Sequence, residues 1–469
     1  MKQAQSRQAA SRYHQHQPSR LSNRGCRGSG QGNVYPPLLS GLRCLRWRFR
    51  RRHFSAGLGL TVALLLSLGE LVHPAESPLS SPQPLQRYLA PSNSFLPSLL
   101  GLDDQLWGSA TAVGSRQSLL QAIDYSLRYL NTSEAEAAYA NYPVQAFTRD
   151  RVQRSLERFR QLLLESDSAA ELREAVFQEF ELYQSIGSDN QGTVHFTGYF
   201  QPVYAASRTP TAEFRYPLYR QPPNLAQWSL PHPTRLQLEG QDGLQGDRGQ
   251  LRGLELVWLR DRLEAYLVQV QGSAQLQLSD GSTLAVGYDG RTDYPYVSLG
   301  RELVKDGKIP EAELNLPRVI QYFQTHPTEL NRYIPRNNRF IFFKETTGSP
   351  AVGSLNVPVT SERSIATDKS LMPPGALALI QTEIPDPTGA NSTGADSTGA
   401  DSASTDSTST DSATLTPRWV SRYVLDQDTG GAIRGAGRVD IFMGSGKAAG
   451  DRAGLINHTG QLYYLLLRE

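Results

Sequence analysis

The chain reads as an α+β protein, mainly β after an N-terminal helical stretch, and three observations predict it. Apolar residues between Leu119 and Tyr183 recur at three- and four-residue spacing, the period of amphipathic helices. From Thr193 onward the period falls to two, and aromatic and β-branched residues crowd short runs, the signature of strands. The 469 residues, 39 % hydrophobic and 20 % charged, are enough for two globular domains.

Residues 1–73 read as an address rather than as structure. Residues 1–40 are polar; Arg43, Arg46, Arg48, Arg50, Arg51 and Arg52 then precede an apolar run from Phe54 to Val72. A positive flank before a short apolar stretch is the pattern of an export signal, and small residues near Ala75 could accept a signal peptidase. An uncleaved anchor is the alternative, because about 20 apolar residues span a bilayer. Arg51-Arg52-His53-Phe54 carries a faint twin-arginine pattern. The leader also masks the charge of the rest. It holds 12 basic residues and one acid, Glu70, so the formal +2 of the whole leaves 35 basic against 44 acidic residues beyond it, a net of −9. That balance points away from nucleic acid. Both cysteines, Cys26 and Cys44, precede the apolar run, so a processed chain has no disulfide, no thiolate nucleophile and no lipid-accepting Cys.

Residues 74–102, rich in Pro, Ser and Leu, read as a linker, and 103–198 as the helical part. Leu119, Ile123, Leu127 and Leu130 form one stripe. Thr148 caps a second helix with stripe Val152, Leu156, Phe159 and Leu163. Ser168 and Glu171 match a capping box before a third helix carrying Leu172, Val176, Phe180 and Tyr183. Strand-like runs follow at 193–204 and 214–219, then an irregular region at 221–250. A strand is expected at 266–271, with 266, 268 and 270 apolar on one face. Leu276, Leu278, Asp280-Gly281, Leu284, Val286 and Tyr288 spell a tight hairpin, and 358–379 reads as strands and turns. The repetitive segment 386–416 has no large apolar residue before Leu415 and cannot offset the entropy of ordering; it is expected to be a disordered acidic loop.

Near the C-terminus, Asp428 and Asp440 flank a run of small residues: Gly430, Gly431, Ala432, Gly435, Ala436 and Gly437. Asp440 then sits among Val439, Ile441, Phe442 and Met443. An acid among apolar strand residues is either a hidden, costly group or one that is used. Local sequence alone favours the plainer reading, a glycine-rich turn leading to a barrel strand whose Asp caps a turn. Other chemistries find little support. No histidine pair beyond the leader's His14 and His16 has metal-ligand spacing, and no Gly-x-Ser-x-Gly elbow supplies a serine nucleophile. Neither metal nor cofactor is expected. What remains is carboxylates near aromatics, a combination that suits carbohydrate.

Thr197-Gly-Tyr-Phe-Gln-Pro202 followed by Ser207-Arg-Thr-Pro-Thr-Ala-Glu-Phe-Arg-Tyr-Pro-Leu-Tyr219 resembles the signature of MltA-type lytic murein transglycosylases (glycoside hydrolase family 102). So do Val268-Gln-Val-Gln-Gly-Ser273, Val286-Gly-Tyr-Asp-Gly290, Tyr296-Val-Ser-Leu-Gly300 and Asn338-Arg-Phe-Ile-Phe-Phe343. The C-terminal part resembles that family's three-aspartate (3D) domain, its aspartates matching Asp368, Asp428 and Asp440. Gln201 and Thr292-Asp-Tyr294 depart from the family pattern.

The resemblance implies a double-psi β-barrel with helices, built from both ends of the mature chain (103–198 and 345–469). A smaller β-barrel at 199–344 is inserted, with a groove between the two for glycan strands of peptidoglycan. It implies cleavage of the β-1,4 bond between N-acetylmuramic acid and N-acetylglucosamine, leaving 1,6-anhydromuramyl ends, with Asp440 as single acid/base, Asp428 tuning it and Asp368 supporting. Tyr199, Gln271, Ser273, Tyr288 and Ser298 are groove candidates, each equally readable as ordinary packing. The implied setting is export to the periplasm of a Gram-negative-type envelope. Membrane association would run only through an uncleaved leader, and cell-wall synthesis or hydrolase machinery are candidate partners. A non-catalytic wall-binding or wall-loosening protein and a hydrolytic muramidase are the alternatives.

Overall fold

The computed structural model describes residues 83–89, 100–109, 112–346, 350–386 and 415–469. The leader of 1–73, and all but the ends of the acidic segment 386–416, lie outside the described residues.

The helical stretch holds α1 (Arg116–Leu130), α2 (Ser133–Ala140), α3 (Arg149–Glu165) and α4 (Ala169–Glu179); α3 and α4 start at the predicted caps, α1 starts without a side-chain cap, and α2, capped by Thr132, adds to the expected three. Thr148 Oγ1 accepts the Arg151 N–H at 3.2 Å, and Ser168 Oγ accepts that of Glu171 at 3.2 Å. Caps of this kind contribute about 1 kcal/mol each. Glu171 reaches back to the Asp167 N–H at 2.8 Å, one residue before the cap. The α3 stripe Val152, Leu156, Phe159 and Leu163 is fully buried, each side chain stabilising by about 1.5–3 kcal/mol.

Apart from a short antiparallel pair, Gly108–Ser109 with Ala112–Val113, the described strands divide into two sheets. β1 (Leu85–Arg87), β2 (Phe180–Ser185) and β3 (Val194–Gln201) open the first. The chain then builds the second: β4 (Val203–Ser207), β5 (Tyr216–Tyr219), β6 (Glu255–Leu259), β7 (Ser273–Leu278), β8 (Thr283–Arg291) and β9 (Ile341–Thr346). It returns to the first with β10 (Ser364–Ala366), β11 (Leu377–Asp386), β12 (Thr416–Asp428), β13 (Arg438–Ser445) and β14 (Asn457–Leu467).

In the first sheet the order β14-β11-β12-β10-β13-β3 returns to β14, closing a six-stranded ring, with β2 and β1 continuing from the other half of β14. β14 is long enough to do both: Asn457–Gly460 pairs with β3 and Tyr463–Leu467 with β2. Two pairs in the ring, β10–β12 and β3–β13, are parallel, as a double-psi barrel requires. The second sheet runs β9-β8-β7-β4-β6-β5, and its end strands β5 and β9 lie side by side.

Three expectations change. Leu85–Arg87, within the expected linker, is a strand that covers the β2 edge and buries Leu85. Phe180 and Tyr183 belong to β2 rather than to a helix, because the alternating Phe180-Glu-Leu-Tyr183 run finds a pairing partner in β14. Residues 266–271 form the end of helix α5 (Arg262–Gln271), not a strand. Asp261 caps it, accepting N–H bonds from Leu263 at 2.6 Å and Glu264 at 3.1 Å, and Gly272 closes it in the left-handed region at φ 78°. Ala265 and Val268 pack into the second-sheet core while Leu263, Tyr266 and Leu267 pack into a separate helical cluster around Leu303 and Phe323. A helix buried on two sides shows no clean helical period.

Candidate active site

Asp440 stands on β13 between two neighbours, opposite Thr197 of β3 and Ala366 of β10. The parallel β3–β13 register turns the Thr197 side chain to it, and Thr197 Oγ1 donates to Asp440 Oδ1 at 2.8 Å. Arg438 lies two residues earlier on the same face. Its Nη2 donates to Thr197 Oγ1 at 3.1 Å, and its Nη1 meets His195 Nδ1. His195 Nε2 lies 2.8 Å from Asn457 Oδ1. Asp440 is half-buried. Burial pushes its pKa up to about 6. The Thr197 hydrogen bond and the Arg438 charge oppose that rise, and the Asp428 charge adds to it. Such a carboxyl is protonated for a useful fraction of the time near neutral pH.

Asp428 ends β12 and is fully engaged. Tyr199 OH donates to Oδ2 at 2.8 Å, while the N–H groups of Ser354 and Thr429 donate to Oδ1 at 2.8 Å each. Burial raises its pKa against these three donors and Lys369. Asp368 holds the glycine-rich turn from below. Its carboxylate accepts from Gly435 N at 2.8 Å and from Ser370 N and Oγ at 3.2 and 2.7 Å. Burial works to raise its pKa, but these bonds and Arg434 prevail and hold it below the ordinary value.

The groove candidates separate. Tyr199 is spent on Asp428, and its ring rests on Phe442 at 5.2 Å between centroids, so it is a positioning side chain rather than a free platform. Gln271 ends α5, where its Oε1 accepts the Phe200 N–H at 3.1 Å and ties the second domain's helix to β3. Ser273 opens β7 opposite Gly287, and no hydrogen bond joins it to the acids among the described residues. Ser298 caps helix α6 (Leu299–Lys305), accepting the Arg301 N–H at 3.4 Å. Tyr288 on β8 is 49 % exposed and near enough to Arg339 to interact with its charge, so its ring is available to a ligand.

Residues that sequence reasoning passed over complete the site. Thr197 opens the Thr197–Pro202 motif, where nothing local marks it as a partner of Asp440. Arg438 sits beside the glycines, and only the β3–β13 register reveals its role. Tyr296 lies within electrostatic reach of Asp440, Arg438 and Arg339. Arg339 Nε donates to Tyr294 O at 2.9 Å, and its Nη1 fills the space where a Cβ on Gly431 would sit, 1.7 Å away. Any larger residue at 431 would displace that guanidinium. Among the described residues no group of three or more His, Cys, Asp or Glu is placed to hold a metal ion, and no helix is long and apolar enough to cross a membrane.

A closed barrel and a second six-stranded sheet, with Asp440 and Asp428 both on the barrel, define a two-domain α+β protein. Two family models match in order: the MltA specific insert domain over residues 195–344 and the 3D domain over 363–466, together more than half of the chain. The chain belongs to the MltA family. It is 29 % identical over 287 residues to membrane-bound lytic murein transglycosylase A of Escherichia coli (strain K12), covering 61 % of this chain and 69 % of that protein. The Vibrio cholerae protein of the same name is 28 % identical over 315 residues, covering 67 % and 75 %. In fold the chain is similar to E. coli MltA with bound chitohexaose, with TM-score 0.58, 24 % identity and coverage of 82 % of this chain and 95 % of that one. A membrane-bound lytic murein transglycosylase from Agrobacterium tumefaciens gives 0.57 and 24 %, with 75 % and 93 % covered.

Proposed function

We propose that the chain is a lytic transglycosylase that cuts the β-1,4 bond between N-acetylmuramic acid and N-acetylglucosamine in peptidoglycan, with Asp440 as its only acid/base. The observation that carries the reading is Asp440 itself, a partly exposed carboxyl raised to about 6 in a protein of the MltA family. Protonated Asp440 gives its proton to the glycosidic oxygen as the bond from muramyl C1 breaks. The resulting carboxylate takes the proton of the muramyl 6-hydroxyl as that oxygen bonds to C1. The acid is regenerated, no water is consumed, and the muramyl end closes as a 1,6-anhydro ring. An internal nucleophile removes the need for the second catalytic carboxylate that hydrolytic glycosidases carry.

Asp428, tied by three donors, is a fixed negative charge or dipole beside Asp440 rather than a second proton carrier. Asp368 holds the glycine turn, and Tyr288 offers a sugar-stacking face. The named activity of the E. coli and Vibrio relatives, and the chitohexaose bound by E. coli MltA, support a glycan substrate. Export to the periplasm fits the leader and the membrane-bound relatives. The test is digestion of purified sacculi followed by mass spectrometry. Products lighter by one water than the hydrolytic muropeptides are expected. Reducing-end muramic acid would replace this reading with a hydrolase, and sacculus binding without soluble product with a wall-binding protein.

A further inference from the structure

Arginines from both domains gather near the glycine turn and Asp440, and few of them have a carboxylate of their own. Arg438 comes from β13 and Arg434 from the glycine turn; Arg291 comes from β8, Arg301 from α6 and Arg339 from the stretch before β9. Among the described residues Arg291, Arg301, Arg339 and Arg438 have no carboxylate within ion-pair distance, and Arg434 has only Asp368 at 3.8 Å. Their anchors are neutral: Arg339 on Tyr294 O, Arg291 on Thr292 O at 3.3 Å, Arg438 on Thr197 and His195. They are also close to one another. Arg301 acts electrostatically on Arg438, and Arg291 and Arg434 on Arg339, while Tyr296 interacts with Arg339, Arg438 and Asp440. Like charges gathered this way cost stability unless something else is gained. Arg301 is exposed and the Arg434 side chain is 62 % exposed, so both can reach a ligand.

We propose that these arginines form an anion-binding face that takes carboxylates carried on alternate sugars of the bound strand. The site thereby selects muramyl glycan over neutral β-1,4-linked glucosaminyl chains. The inference rests on the glycan-cleaving reading above and adds to it the feature by which substrate is chosen. Two sources supply the same chemistry: the stem peptide, or the lactyl carboxylate left once the peptide is removed. A planar guanidinium recognises either by paired, charge-assisted hydrogen bonds.

The test uses the full chain carrying Asp440→Asn, so that ligands bind without being cut. Affinity is measured for peptide-bearing muramyl glycan oligomers, the same oligomers stripped by an amidase, and chitin oligosaccharides of equal length. Carboxylate-bearing glycans are expected to bind roughly ten-fold tighter than chitin at low salt, the gap closing as salt screens the face. Adding Arg301→Gln and Arg434→Gln should cut that preference by roughly five-fold, with chitin affinity as the reference. A preference kept by stripped glycan assigns the lactyl source; one lost on stripping assigns the peptide. Equal affinity for charged and neutral glycans, or a preference untouched by the double variant, overturns the proposal. Binding to none of the three overturns the glycan reading itself, and this inference with it.

Discussion

Asp426 and Asp440 are carboxylates of the same barrel with opposite settlements. Asp426 is wholly buried and fully matched: Lys369 contacts it, Thr367 Oγ1 donates at 2.7 Å and Tyr464 OH at 2.5 Å. Lys369 also donates to the Asp428 carbonyl, so the ion pair pins the turn that carries the candidate site. Among the described residues Asp440 receives a single side-chain hydrogen bond, from Thr197, and it is half-buried. Burial with partners makes a strut. Burial without them leaves a proton free to move.

The contrast can be broken from either end. The largest effect expected is on catalysis: Asp440→Asn should lower turnover of sacculi by roughly 10²–10⁴-fold or more, read from released anhydromuropeptides. The same variant should be no less stable. Because the folded pKa of about 6 lies above the ordinary 3.8, the folded state binds the proton more tightly. That contribution is present in full below the unfolded pKa and is lost as pH rises through about 6, so wild-type stability falls across this window, by about 3 kcal/mol at most. Denaturant titrations at several pH values should show the slope in wild type and a flatter line in Asp440→Asn.

At the strut, Lys369→Ala leaves Asp426 buried and unpaired, and should cost about 3–5 kcal/mol in a denaturant melt. A variant that loses activity there with stability unchanged would contradict the structural role. Next comes Thr197→Val. Removing a donor that favours the charged carboxylate should move the alkaline limb of the pH–rate profile upward by up to about one unit. An unmoved limb would mean that Thr197 does not set the acid. The smallest effect is expected for Tyr288→Ala, where an exposed ring should change KM by roughly ten-fold or less and leave the melt within about 0.5 kcal/mol.

Local signals were legible where local physics decides. Thr148 and Ser168 cap their helices, and the Asp280-Gly281 hairpin turns where its residues predict, with Asp280 accepting the Ser282 N–H at 2.9 Å. At 266–271 burial on two sides produces an apolar alternation that imitates a strand, although Asp261, Glu264 and Gly272 supply the start and stop signals of a helix. Asp428 and Asp440 stood out because acids beside glycines and apolar residues are conspicuous. Thr197, Arg438 and Lys369 did not, since their roles come from pairings between strands distant in sequence. The Arg339 contact with Gly431 is likewise a product of the tertiary fold.

In the proposed mechanism one carboxyl serves both proton transfers and the substrate supplies its own nucleophile. Digesting sacculi in heavy-oxygen water tests it most directly. Anhydromuramyl ends with no solvent oxygen at C1 are expected from wild type, and none from Asp440→Asn. Heavy oxygen at C1 of a reducing muramic acid would contradict it.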